Sequence, residues 1–138
     1  MKFITRDTDY AIRALSCIAA SGKKTVSVKE LAEELEIPRP FLRKIFQRLN
    51  KKGILKSFKG KGGGFSLAKS PDDISAFEVL ETFQGAMHLN DHIFKGKVCP
   101  HIETCLFKAK LDVIEQYMTR EFKMITISSL IKEGLRRH

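Results

Sequence analysis

The 138-residue sequence predicts a mainly α fold that carries one small β hairpin and a long C-terminal helix. Three observations lead there. Apolar residues recur at helical spacing through residues 8–21, 28–35 and 39–52, a glycine-rich stretch from Lys59 to Gly64 separates two short apolar runs, and paired apolar stripes run on from Cys105. A chain of this length can enclose one core, or a small domain plus an oligomerisation arm.

Ala11, Ala14, Leu15 and Ile18, flanked by Tyr10 and Cys17, follow the i, i+3, i+4, i+7 pattern of an amphipathic helix that Gly22 ends. Val28, Leu31, Ala32 and Leu35 give a second helix, and Ser27 with the later Glu30 forms its capping box. Glu36-Ile37-Pro38 interrupts the pattern, because the residue before a proline is driven out of the helical region. A third helix restarts near Arg39 and points Phe41, Leu42, Ile45, Phe46 and Leu49 inward until Gly53 stops it. Two helices joined by so short a turn form a helix-turn-helix. Residues 54–58 and 65–68 then read as paired strands, the wing of a winged helix-turn-helix. Pro71-Asp72-Asp73 leads into a short helix over residues 75–83.

Residues 84–104 lack periodicity, hold Cys99 and three of the four histidines with Cys105 directly after, and are too long for a plain connector. A functional loop is expected there. Beyond it Phe107, Leu111, Ile114, Met118, Phe122 and Ile125 form one stripe, and Leu106, Val113 and Tyr117 a second. A helix with two apolar stripes needs two partners, its own domain and a second subunit. Leu111, Ile114, Met118 and Phe122 are assigned to the second subunit, and residues 126–135 form a terminal helix. The expected organisation is a winged-helix unit over 1–83, a sensor or cofactor loop over 84–104, and a dimerisation arm over 105–138.

The net charge is +9, and its position says more than its size. Residues 36–69 contain ten basic residues and one acidic residue, while the rest of the chain holds fifteen of each sign. Solvated faces normally mix signs, so a one-signed block on a folded segment suggests a polyanion partner, double-stranded DNA ahead of an anionic membrane. The first residues are charged and no stretch approaches the eighteen apolar residues of a membrane span, so a soluble cytoplasmic protein with no membrane partner is expected. Three cysteines in a chain without an export signal argue against a disulfide framework and leave reduced thiols, metal ligands or redox sensing. Cys17, inside an amphipathic helix, reads as a buried structural thiol.

The major groove admits one helix, whose exposed N-terminal half reads base edges. On the third helix the outward positions are Arg39, Pro40, Arg43, Lys44, Gln47 and Arg48. Arginine and glutamine suit bidentate contacts with guanine and adenine. Lys51, Lys52 and Lys56 suit phosphates, which fix register without reading sequence. Lys59 and Lys61 alternate with Gly60 and Gly62 in a cationic finger of minor-groove size, and Ser27 joins the candidate DNA contacts. The run from Lys59 to Gly64 lacks the Gly-Lys-Ser/Thr ending of a phosphate-binding loop. What favours DNA over a bland basic surface is the order helix, helix, turn, basic helix, basic hairpin.

Leu31-Ala32-Glu33, Ile37-Pro38, Phe41-Leu42, Leu49, Gly53-Ile54, Ser57, Gly60 and the run Gly62 to Ala68 together resemble the signature of the IscR, NsrR and CymR family of bacterial transcription regulators. The resemblance spans nearly the whole chain and is densest from Ser27 to Lys69. It implies a homodimer on a pseudo-palindromic operator, with the third helix in the major groove and the wing in the minor groove. Arg43 stands at a base-reading position of such proteins, and Lys59 where they commonly carry arginine.

Iron-sulfur members of that family carry three regularly spaced cysteines after the wing and a fourth ligand. Cys99 and Cys105 match the second and third; Ile93 stands at the first, with His92 and Asp91 beside it, and Lys108 stands where some members place a histidine. Asp9 matches a carboxylate ligand supplied across the dimer. The resemblance thus implies Cys99, Cys105, His92 and Asp9 as the ligand set for a 2Fe–2S or other iron-sulfur cluster, mixed Cys/His ligation being known in Rieske centres. Tetrahedral zinc, a reversible disulfide, haem at Cys99-Pro100, and a cofactor-free loop answering a small molecule or protein partner stay open. An enzyme would use Cys99 or Cys105 as nucleophile with His88, His92 or His101 as base, but no third orienting group is legible, so a non-enzymatic regulator is expected.

Overall fold

The computed structural model describes residues 1–90, 93–94, 97–98, 100 and 105–136. Helix α1 (Arg6–Ser21) begins where Thr5 Oγ1 accepts the Thr8 amide, carries Asp7 and Asp9 at its positive end, and stops at Gly22 in the left-handed region, φ 70°. Helix α2 (Val28–Leu35) begins at Ser27, whose Oγ accepts the Glu30 amide at 3.1 Å, while the Glu30 carboxylate turns to Lys23 at 3.2 Å. In the turn that follows, Glu36 takes φ 56°, and its amide and that of Ile37 both close on the Ala32 carbonyl. Helix α3 (Arg39–Lys51) has Pro40 in its first turn, where no helical amide is missed. The predicted inward positions Leu42, Ile45, Phe46 and Leu49 are buried, and Phe41 packs half-buried against Tyr10, ring edge to face at 5.6 Å.

Strands β1 (Leu55–Phe58) and β2 (Gly64–Leu67) pair antiparallel, with Leu55 opposite Leu67 and Phe58 opposite Gly64. Alternation along the strands turns Leu55 inward and sets Phe65 against Phe46 at 4.9 Å between ring centroids, which leaves Lys56 and Phe58 on the outer face. Two backbone hydrogen bonds of 2.8 Å join Phe65 to Val26 and so pin the hairpin to the start of α2.

A 3-10 turn (Pro71–Asp73) leads to helix α4 (Ala76–Gln84), capped by Ser75. Where sequence offered only an irregular loop, two short strands β3 (Ile93–Phe94) and β4 (Lys97–Val98) pair as a second hairpin. Helices α5 (Leu106–Met124) and α6 (Ile127–Arg136) complete the chain. Sequence placed α6 in a separate arm, but it returns to the first unit. Ala76 donates to the Ile125 carbonyl at 2.7 Å, Ile127 donates to the Ile74 carbonyl at 2.9 Å, and α6 packs against α1. Ile127 is fully buried in the same core as Leu15, Phe46, Ile54 and Val79.

Gln84 ties the start of the chain into this body. Its Oε1 accepts from the buried Thr8 hydroxyl at 2.7 Å and the Thr5 amide at 3.1 Å, and its Nε2 donates to the Phe3 carbonyl at 2.8 Å. Phe3 in turn stacks on Phe122 of α5, with ring centroids 6.3 Å apart. No helix among the described residues is long and apolar enough to cross a membrane.

Candidate nucleic-acid interface

The helical period that buries Leu42, Ile45, Phe46 and Leu49 leaves Arg39, Pro40, Arg43, Lys44 and Gln47 exposed, with Lys51 and Lys52 at the far end. Strand β1 packs beside α3 and adds Lys56. At the hairpin tip Gly60 and Gly62 take φ 91° and 75°, which side-chain-bearing residues resist, and the intervening Lys61 and preceding Lys59 stand out in solvent. Thr25 Oγ1 donates to the Gly62 carbonyl at 3.0 Å and steadies the tip from behind. Ser27 lies half-buried at the foot of the hairpin, next to Val26.

Among the described residues the salt bridges are Arg13–Asp9, Lys23–Glu30, Lys69–Glu78 and Lys108–Asp112. None of them neutralises Arg39, Arg43, Lys44, Lys51, Lys52, Lys56, Lys59 or Lys61. Arg48 differs. Its guanidinium donates to the Thr82 carbonyl at 2.8 Å and lies 5.0 Å over the Phe83 ring, so it fastens α3 to α4. The outward helical position was legible; the α4 carbonyl waiting there was not.

Residues 4–133 match the Rrf2 family, described as iron-dependent transcriptional regulators. A protein of Aquifex aeolicus named as an HTH-type transcriptional regulator is 36% identical over 124 residues, 88% of this chain and 86% of that one. This chain belongs to the Rrf2 family. The NsrR regulator of Bacillus licheniformis is 28% identical over 131 residues, covering 88% of this chain and 92% of its own. Solved structures of CymR from B. subtilis and IscR from T. potens superpose with TM-scores of 0.74 and 0.77 at 19% and 22% identity. Each covers 96% of this chain, and they are themselves covered over 98% and 88%. The winged helix-turn-helix fold expected from sequence is therefore the fold of this Rrf2 chain, a transcriptional regulator by family and not an enzyme.

Of the four implied cluster ligands in this Rrf2 chain, Cys99 and His92 lie outside the described residues. Cys105 is a free thiol that caps α5, its Sγ accepting the Lys108 amide at 3.4 Å. Asp9 pairs with Arg13 at 3.0 Å on α1. Among the described residues no group of three or more potential metal ligands comes together. Lys108, at the position of a family histidine, holds Asp112 at 2.5 Å instead. Cys17 is half-buried, and burial, with a smaller contribution from the Glu34 carboxylate, pushes its thiol above the ordinary range. It is a protonated packing residue at neutral pH.

The two stripes of α5 are also separated. Leu111, Met118 and Phe122, assigned from sequence to a second subunit, are half-buried within their own chain, whereas Ile114 is exposed. Leu106, Val113 and Tyr117 stand in solvent at 82%, 64% and 58% exposure.

Proposed function

We propose that this Rrf2 protein is a homodimeric, sequence-specific DNA-binding regulator that seats α3 in the major groove and the β1–β2 wing in the minor groove of each operator half-site. One observation carries this reading: eight cations on one helix and the adjoining hairpin have no intrachain acid partner among the described residues. Arg39, Arg43, Lys44 and Gln47 face base edges from the first half of α3, with Pro40 fixing its start. Lys51, Lys52, Lys56 and Ser27 hold phosphates, and Lys59, Lys61 and Gly62 line the minor groove. Arg48 leaves the base-reading set for its place against α4.

The exposed stripe of Leu106, Val113, Ile114 and Tyr117 forms the two-fold seam between copies, because so much apolar surface on one helix is costly to leave in water. Two half-sites on one face of the duplex then match the two-fold axis. Selection of binding sites from a random duplex library by the full-length protein tests the reading. Enrichment of an inverted repeat supports it, and recovery of no preferred sequence at moderate salt sinks it.

Control of this regulator is placed at the Cys99 and Cys105 segment, supported by the family description as iron-dependent and by the free Cys105 thiol. If the loaded form carries an iron-sulfur cluster, Cys99, Cys105, His92 and Asp9 of the partner subunit are the proposed ligands, and the cluster supplies a redox- and iron-dependent state. Anaerobic purification with iron and sulfide assays on the wild type, Cys99→Ala, Cys105→Ala and His92→Ala tests this. Iron lost in the cysteine variants supports a cluster. Iron-free wild type whose operator binding changes on oxidation assigns control to the thiols instead.

A further inference from the structure

Phe58 has no part in the contacts assigned above. It closes β1 on the face that carries Lys56, and the residue opposite it across the hairpin is Gly64, which has no side chain to shelter a ring. The ring is therefore 48% exposed, in the same small sheet that buries Leu55 and holds Phe65 against Phe46. Lys59 follows it immediately and Lys61 lies just beyond, both exposed and without an acid partner among the described residues.

The backing of the ring is stiff. The Val26–Phe65 bonds of 2.8 Å and the Thr25–Gly62 bond of 3.0 Å tie the hairpin to the start of α2. The ring is thus held at a fixed place relative to α3, and cations flank it on both sides in sequence. That combination suits the minor groove, where cations meet the phosphate rims and an apolar side chain can enter between base pairs. A protein surface would reward the ring but not the uncompensated lysines beside it.

We infer that Phe58 is an apolar wedge: it enters the minor groove next to each half-site and partly unstacks one base step, so that the wing reads how easily the duplex deforms. The step it favours is pyrimidine–purine, the most readily unstacked class. This rests on the DNA-binding reading given above, and it adds specificity at a position that no hydrogen-bonding side chain touches.

The test uses the full-length protein and the duplex sites it selects from a random library. Wild-type protein should enrich a pyrimidine–purine step at one fixed position per half-site. It should brighten 2-aminopurine placed there, and bind about tenfold more weakly when that step is made purine–purine. Phe58→Ala, which removes an exposed ring and should melt as the wild type does, should lose the brightening and bind both duplexes alike. Phe58→Leu should keep part of both effects, and Lys59→Ala should keep the step preference while flattening the salt dependence. A Phe58→Ala protein that retains step preference and brightening, weakens both duplexes equally, or changes oligomeric state without changing DNA reading overturns the wedge and leaves DNA binding standing. Wild type that enriches no site overturns the DNA reading and the wedge together.

Discussion

Arg43 and Arg48 lie on the same helix, and their neighbours divide their roles. Arg43 is exposed with no acid partner among the described residues, while Arg48 is spent on the Thr82 carbonyl and the Phe83 ring. Arg48→Ala should lower the melting temperature, costing about 1–2 kcal/mol, and weaken all DNA sequences alike. Arg43→Ala should leave the melt unchanged and relax preference at one base per half-site, at about 1–3 kcal/mol. Calorimetry and binding to a set of singly substituted operators separate the two, and a sequence-selective loss in Arg48→Ala would return that residue to the reading face. Neither the Arg48 staple nor the Gln84 hub was visible in sequence, for one reason. A helical period tells which side chains leave the core, but not which carbonyl of a later element stands in their path.

At the scale of elements, the wing depends on Gly64 more than on any lysine. Gly64 takes φ 152°, and a Cβ there would stand 2.5 Å from the Val26 carbonyl oxygen, inside the bond that pins the hairpin. Gly64→Ala should cost on the order of 3 kcal/mol, because backbone rather than a flexible side chain has to move. Proteolysis or hydrogen exchange at residues 59–63 would report the loosened wing, and unchanged protection would show that the pairing tolerates a shift. Lys59→Ala with Lys61→Ala should instead spare the fold and reduce the slope of log affinity against log salt by up to about two per subunit. An unaltered slope would take the tip off the phosphates. The helices, the hairpin and the basic block were legible because each is a local pattern of spacing, turn chemistry or charge. The β3–β4 hairpin was not, since strands of two residues carry no periodicity. Nor was the orientation of α5, where two stripes are of similar quality: the sequence turns Leu111 toward a second subunit, but Leu111 is half-buried in its own chain while Val113 is exposed.

For the whole molecule, the two stripes give opposite expectations. Val113→Asp with Tyr117→Asp should yield monomers in sedimentation velocity with a near-normal melt, since both sites face solvent in one chain. Operator affinity should fall with the dimer, because one winged unit then meets one half-site alone. Leu111→Asp should unfold the chain before it separates subunits, and a folded Leu111→Asp monomer would move the seam back to that stripe. The return of α6 bears on how the protein comes into being. A ribosome finishes α3 and the wing long before α6 emerges, yet Ile127 of that helix is fully buried in the core and bonded to Ile74, with α6 packed on α1. Burying a residue so distant in sequence defers completion of the core until α6 has been made. Chains stopped after Met124 should show no cooperative melt, and Ile127→Ala alone should cost about 2–5 kcal/mol. A nascent or clipped chain that already carries every DNA-facing residue should thus still be unable to hold them in place. Incomplete copies left by interrupted translation would go to proteolysis and would not compete for the sites of the finished regulator.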